Sequence, residues 1–199
     1  MKFSHKILFL FGLFLFHFSC DETSYLPREK GFLRLEFEKP TYDSFSNESS
    51  GLNFIYNDAY SSFEMVSDDK IVLRYKDIKI NIVLSDVQLE NISSFEESIQ
   101  NFYMFLEPHR KKSNQISIKE FTSADNNRFA KVFEMRGPVA SPLQFYVTDS
   151  INHFLFGSMN VMEKSDYDSI YPSIMYVKND IFSIIDLLNH TIASFVELA

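Results

Sequence analysis

Residues 115–161 read QISIKEFTSADNNRFAKVFEMRGPVASPLQFYVTDSINHFLFGSMNV, and this stretch decides the fold. It divides into four strand-like runs, 115–122, 128–136, 143–149 and 153–161. Asp125-Asn126-Asn127 separates the first pair, Gly137-Pro138 the second, and Asp149 to Asn152 the third. Gly, Pro, Asn and Asp favour turns because they tolerate unusual φ or hydrogen-bond their own backbone. Four sequential strands with such short connections predict an antiparallel meander.

Upstream, Phe32, Leu33, Leu35 and Phe37 mix with Arg34, Glu36 and Glu38 before Pro40, which predicts a half-buried strand. Residues 41–51 are rich in Ser, Asn and Asp and read as loop. Short strands are expected at 52–57 and 61–67, and a hairpin over 70–84 with its turn at Lys76-Asp77. A helix follows. Ser93 and Ser94 are N-cap candidates, with Glu96 and Glu97 three residues beyond each in a capping-box spacing. Phe95, Ile99, Phe102, Tyr103 and Leu106 form its apolar face, and Pro108 is expected to end it. The basic run His109 to Lys112 reads as a solvated helix exit. From Tyr167 the period is again helical, with Pro172 placed in a first turn. Ile181, Ile184, Ile185, Leu188, Ile192 and Phe195 make the buried stripe. The fold class is therefore α+β, an antiparallel sheet packed with amphipathic helices. The order of elements resembles a PsbP/Mog1-like sandwich, an analogy of topology that carries no function.

The N-terminus reads as an address. Lys2 and Lys6 precede an apolar run from Ile7 to Phe16, and Ser19 precedes Cys20, the single cysteine of the chain. The run is about half the ~20 residues that a membrane-spanning helix needs, and matches a signal-peptide core. The layout predicts a lipoprotein signal peptide at 1–19, acylation at Cys20, a lipidated tether over 20–30 and one domain over 31–199. An ordinary secretory signal, or an N-terminal core strand, is the competing reading. Two or more acyl chains, at about 0.8 kcal/mol per buried methylene, anchor a protein stably. The first 19 residues hold two lysines and no acid, so their removal takes the formal charge from −8 to −10. That balance argues against nucleic acid as a partner, because phosphate binding selects clustered Lys and Arg.

Catalytic signatures are scarce. No glycine-rich phosphate loop, paired metal-ligand spacing or G-x-S-x-G elbow occurs, and no cofactor is expected. The best nucleophile-base-acid combination available is Ser141, His153 and Asp149. The densest polar segment, Gln144-Phe145-Tyr146-Val147-Thr148-Asp149-Ser150, reads first as a tight turn satisfied by its own side chains. Its second reading is a partner-contact surface made by Gln144, Tyr146, Thr148, Asp149 and His153.

Three stretches in combination identify a relative. They are Tyr25 to Glu36 (YLPREKGFLRLE), Gln144 to Ser150 with His153-Phe154-Leu155 and Gly157, and Tyr167-Asp168-Ser169-Ile170 with Pro172, Tyr176, Asp180 and Ile181. With Cys20, they make the chain resemble the gliding motility lipoprotein GldD family over essentially its whole length, and least over about 41–70. The resemblance implies a non-enzymatic, palmitate-bearing envelope lipoprotein of bacteria that glide and use type IX secretion. The membrane and other motility or secretion proteins would be its partners, and the periplasm its side. It brings no catalytic residues. The expectation from the whole sequence is a binding domain held at a membrane, supporting assembly or stability of that machinery. A hydrolase using Ser141, His153 and Asp149, or a small-ligand carrier with aromatic walls, is the alternative.

Overall fold

A computed structural model describes residues 35–47, 52–75, 77–123, 127–163 and 167–188. The expected signal peptide, Cys20 and the tether lie outside the described residues, as do Ile192 and Phe195 of the helical stripe. The elements are β1 (Tyr42–Asn47), β2 (Leu52–Asn57), β3 (Ser61–Ser67), β4 (Lys70–Tyr75), β5 (Ile80–Gln88), α1 (Ile92–Arg110), β6 (Gln115–Thr122), β7 (Phe129–Arg136), β8 (Leu143–Thr148), β9 (His153–Val161) and α2 (Tyr167–Leu188).

Seven strands form one antiparallel sheet in the order β3-β4-β5-β9-β8-β7-β6, and β1 pairs with β2 in a separate hairpin. The decisive stretch folds as expected: β6 to β9 are a meander whose neighbours pair in register, Phe129 opposite Thr148 and Thr148 opposite Phe154. β9 then closes against β5, which joins the meander to the β3-β4-β5 ribbon. The fold is thus α+β, as the sequence predicts.

The two sheet faces build two cores, because successive strand residues point to opposite sides. Leu143, Phe145 and Val147 of β8 share one core with Ile71, Leu73, Ile82 and Leu84 and with α2. Ile174, Val177, Ile181, Ile184 and Ile185 of α2 are all buried there, so the period-3.6 stripe is core packing. On the other face, Phe102 and Leu106 of α1 pack with Phe133, Met135 and Phe154.

Five expectations are corrected. Of the strand expected over 32–38, residues 32–34 lie outside the described residues, and residues 35–38 are not a strand. Phe37 instead stacks on Tyr176 at 4.4 Å between centroids and meets Tyr60 edge-on, while the Glu38 amide donates to the Tyr60 hydroxyl. Aromatic side chains here replace a neighbouring strand. The expected loop over 41–51 contains β1, since tertiary contacts override weak strand propensity; Phe45 packs on Phe54 and Phe63 at 5.0 Å. Asn91, not Ser93 or Ser94, caps α1: its side chain accepts from the Ser94 amide, and Ser94 Oγ accepts in return from the Asn91 amide. Pro108 lies inside α1, which runs on to Arg110, and Pro172 is the sixth residue of α2 rather than part of its first turn.

Candidate functional site

The polar segment recognised in the sequence forms β8 and the turn after it. Gln144, Tyr146 and Thr148 alternate onto the α1 side of the sheet. Gln144 and Thr148 are buried, and Tyr146 is half-buried. The Tyr146 ring stacks on Phe154 at 5.2 Å and meets Phe102 edge-on. Burial, foremost, pushes its hydroxyl above the ordinary tyrosine value.

Beside this row opens a cleft of about 280 Å³. Phe95 of α1, Phe129 of β7 and Tyr146 supply aromatic walls, with Thr148 and Ser150 at one end. Lys131 and Glu120, paired at 2.6 Å, close the opposite side and cancel each other's charge. The cleft therefore suits an apolar or aromatic side chain. Close in the chain to its lining residues the domain exposes large apolar groups: Ile151, which follows Ser150, is 71 % exposed, and Ile92, three residues before Phe95, is 66 % exposed. Both sit at one end of the sheet, because the Leu89 amide donates to the Asn152 carbonyl and so ties the entry of α1 to the β8–β9 turn.

Asp149 organises that turn. One of its oxygens accepts from the amides of Ile151, Asn152 and His153 at 2.9, 2.7 and 2.9 Å. Burial pushes the Asp149 carboxyl up, but these amides and the Asn152 side chain outweigh it and hold the group at about 2. Thr148 Oγ1 donates to the His153 carbonyl and accepts from the Ser150 amide, and Ser150 adopts a φ of 62°. His153 points its Nδ1 at the Asp86 carboxylate, 3.5 Å away. Burial is the main influence on Asp86 and raises its pKa; His153 opposes the shift.

Ser141, His153 and Asp149 are not brought together. Ser141 precedes β8, while Asp149 follows it, and six strand residues separate them by roughly 20 Å. The Ser141 Oγ is buried with no hydrogen-bond partner, and the Asp149 carboxylate is occupied by the turn. The structure holds no hydrogen bond joining the three side chains, which a nucleophile and its base require.

A second polar centre was not singled out as a site in the sequence. Asp180 of α2, 2 % exposed, accepts from Tyr42 at 2.7 Å, Tyr75 at 2.8 Å and the Asn57 amide at 3.1 Å. Asn57 also donates to Tyr176. Burial raises the hydroxyl pKa values of both Tyr42 and Tyr75, with Asp180 adding to the effect, and Tyr42 reaches about 12. These four side chains reach Asp180 or its neighbour from β1, β2, β4 and α2 and fasten the helix over the sheet. A buried carboxylate so fully met by donors is a structural anchor. Periodicity could not find it, because its partners lie more than 100 residues apart in sequence.

Among the described residues, no group of three His, Cys, Asp or Glu could hold a metal ion, and no helix is long and apolar enough to cross a membrane. No curated protein matches the sequence. Among solved structures, the chain is similar to the Ran-binding protein Mog1p of Saccharomyces cerevisiae, at 8 % identity and a TM-score of 0.40, covering 76 % of this chain and 99 % of that one. Nothing further rests on so loose a likeness. The family model of the gliding motility lipoprotein GldD matches residues 22–190, from beyond Cys20 to the end of α2, and so takes in β8, the Asp149 turn and Asp180. The chain belongs to the gliding motility lipoprotein GldD family.

Proposed function

We propose that this protein is a non-enzymatic lipoprotein, acylated at Cys20, that docks a protein of the gliding and type IX secretion machinery and supports its assembly or stability. Family membership gives the coarser part, a lipid-anchored motility protein of the cell envelope. The observation that supports docking is the aromatic cleft beside Tyr146, with the exposed Ile92 and Ile151 close in the chain to its lining residues Phe95 and Ser150. Exposed apolar groups around a pocket are a feature of protein-binding surfaces. Of the five residues expected to contact a partner, Tyr146 and Thr148 line the cleft, Asp149 and His153 shape the turn beside it, and Gln144 supports β8 from within.

The division into a signal at 1–19, a tether at 20–30 and a domain at 31–199 is part of this reading. A tether of about ten residues spans at most roughly 35 Å, so the domain works close to its membrane, on the periplasmic side. The test is colony spreading and partner abundance in cells carrying Cys20→Ala or Ile151→Asp. Loss of spreading with each protein still folded supports the reading. Full spreading with Cys20→Ala overturns the anchor, and full spreading with Ile151→Asp overturns the docking surface.

A further inference from the structure

β6 is the last strand of the seven-stranded sheet, and among the described residues nothing pairs with its outer edge. Its inner edge is fully used: all eight residues from Gln115 to Thr122 lie opposite β7 in one unbroken register. The direction of the free groups is fixed. The Met135 amide donates to the Pro142 carbonyl at the start of β8, so Met135 faces β8 and its neighbour Glu134 faces β6. Ser117, opposite Glu134, therefore faces β7, and at the far end the Ser123 amide faces β7 too, donating to the Arg128 carbonyl. Backbone groups alternate along a strand, so Ile116, Ile118, Glu120 and Thr122 present their N–H and C=O outward.

Such a row is a template for another strand, and proteins ordinarily guard it with a bulge, a proline or free charges. The opposite edge of the sheet, β3, has a bulge between Met65 and Ser67. β6 has no proline, and its two charges are turned back onto the sheet: Glu120 pairs with Lys131 at 2.6 Å, and Lys119 lies 3.5 Å from Glu134. The unguarded edge is also one border of the Tyr146 cleft. Residues directly opposite share a face, so Glu120, Lys131 and Tyr146 form one row and Thr122, Phe129 and Thr148 the next, and all six line the cleft. A strand added at the usual spacing of about 4.8 Å extends both rows by one residue. Its residue beside Thr122 meets only that short side chain before the exposed Phe129, a reach that aromatic side chains make.

We infer that the partner docks by adding an extended segment to the outer edge of β6, its backbone bonded to Ile116, Ile118, Glu120 and Thr122 and an aromatic side chain beside Thr122 lying in the cleft. The inference rests on the docking reading above and gives it a form: the edge supplies affinity and the cleft supplies selectivity. A second copy of this chain fits the edge poorly. A two-fold axis normal to the sheet pairs outward residues with outward residues. Setting Ile118 of one copy beside Thr122 of the other puts Glu120 opposite Glu120, and setting Ile116 there puts Lys119 opposite Lys119. Like charges directly opposite destabilise a strand pair, so the segment belongs to a different protein.

The test uses a displayed library of random peptides of about twelve residues, long enough to span β6, selected on the full protein in detergent micelles. Recovered peptides are expected to share an aromatic residue at a fixed position, and its replacement by alanine should weaken binding about tenfold or more. The strongest peptide, synthesised and bound, should slow amide exchange at Ile118, Glu120 and Thr122 by about tenfold or more and leave Lys119 and Phe121, already bonded to β7, unchanged. Methylating alternate backbone nitrogens on the peptide's bonding side should abolish binding. Ile118→Pro removes an outward donor that β7 does not use, at a place where edge strands accept proline, and should weaken the peptide by about tenfold or more at an unchanged unfolding temperature. The exchange measurement uses the parent protein and decides the matter where Ile118→Pro is unstable. No recovered peptide, a bound peptide that protects no outward β6 amide, or binding that survives backbone methylation would each overturn the inference. In cells, Ile118→Pro should abolish spreading. Normal spreading with Ile118→Pro where Ile151→Asp blocks it would overturn strand addition and leave the docking reading standing, whereas normal spreading with both would overturn both.

Discussion

The ring of Phe145 fills the space in which a side chain at Gly157 would stand. The two residues are direct partners across β8 and β9, and a Cβ on Gly157 would lie 2.3 Å from Phe145 Cζ. No Cβ contact can be that short, and the ring is wholly buried, so it has nowhere to retreat. Gly157→Ala is expected to lower unfolding stability by about 1–3 kcal/mol, the usual cost of overpacking. Phe145→Leu combined with Gly157→Ala should recover part of the loss. Denaturant unfolding of the three variants checks this, and an additive double mutant would disprove the steric account.

The Asp180 centre makes two linked predictions. Tyr75→Phe removes a donor to a buried carboxylate and should cost about 1–3 kcal/mol. The second concerns alkaline pH. Tyr42 and Tyr75 both hold their protons more tightly folded than unfolded. Their contribution is intact below the unfolded tyrosine value near 10 and is lost as pH rises beyond it, because the unfolded chain then binds fewer protons than the native one. For Tyr42 the loss runs to about 12. Stability measured from pH 9 upward should fall, and the slope should be shallower in Tyr42→Phe. A slope unchanged by both Tyr→Phe variants would show that these hydroxyls are not the linked groups.

At the acidic end, Asp149 dominates its own turn. Its folded-state pKa of about 2 lies below the unfolded value, so its contribution is present above roughly pH 4 and lost as pH falls toward 2. Asp149→Ala should cost about 1 kcal/mol at neutral pH, as for a lost cap, and should flatten that acid limb. Asp86 acts in the opposite sense, since its raised pKa makes protonation favour the fold. The comparison of Asp149→Ala with Asp86→Asn across pH 2–5 therefore separates the two by sign.

The strands legible in the sequence were those with short connections. The boundaries expected for β2, β3, β6 and β9 coincide with the structure, because alternation and turn residues are local signals. Residues 35–47 misled for the converse reason. Phe37 lies among Tyr60 and Tyr176, and β1 is held by Phe54, Phe63 and Asp180, so nothing within the segment itself reveals its state. The site shows the same division. Thr148, Asp149 and Ser150 announced a turn through their composition, whereas the cleft beside Tyr146 takes walls from α1, β6, β7 and β8 and exists only once the meander has met the helix. Asp180 stood in the family-matching segment, yet its role depends on three residues from the first half of the chain.

The cap of α1 gives the most direct test of local chemistry. The S-x-x-E spacing pointed to Ser93 and Ser94 with Glu96 and Glu97, but the reciprocal bonds are made by Asn91 and Ser94. Asn91 has the extended conformation an N-cap needs, with φ −165°, and its Oδ1 accepts from the Ser94 amide at 3.0 Å. The exposed Glu96 and Glu97 lie a turn farther in, beyond reach of the cap amide. Asn91→Ala should therefore cost about 1 kcal/mol, while Asn91→Asp should be neutral or slightly stabilising through the positive end of the helix dipole. Glu96→Gln and Glu97→Gln should each change stability by less than about 0.5 kcal/mol, as exposed substitutions do. Unfolding curves of these four variants decide between the caps, and a larger loss at Glu96 or Glu97 than at Asn91 would reverse the assignment.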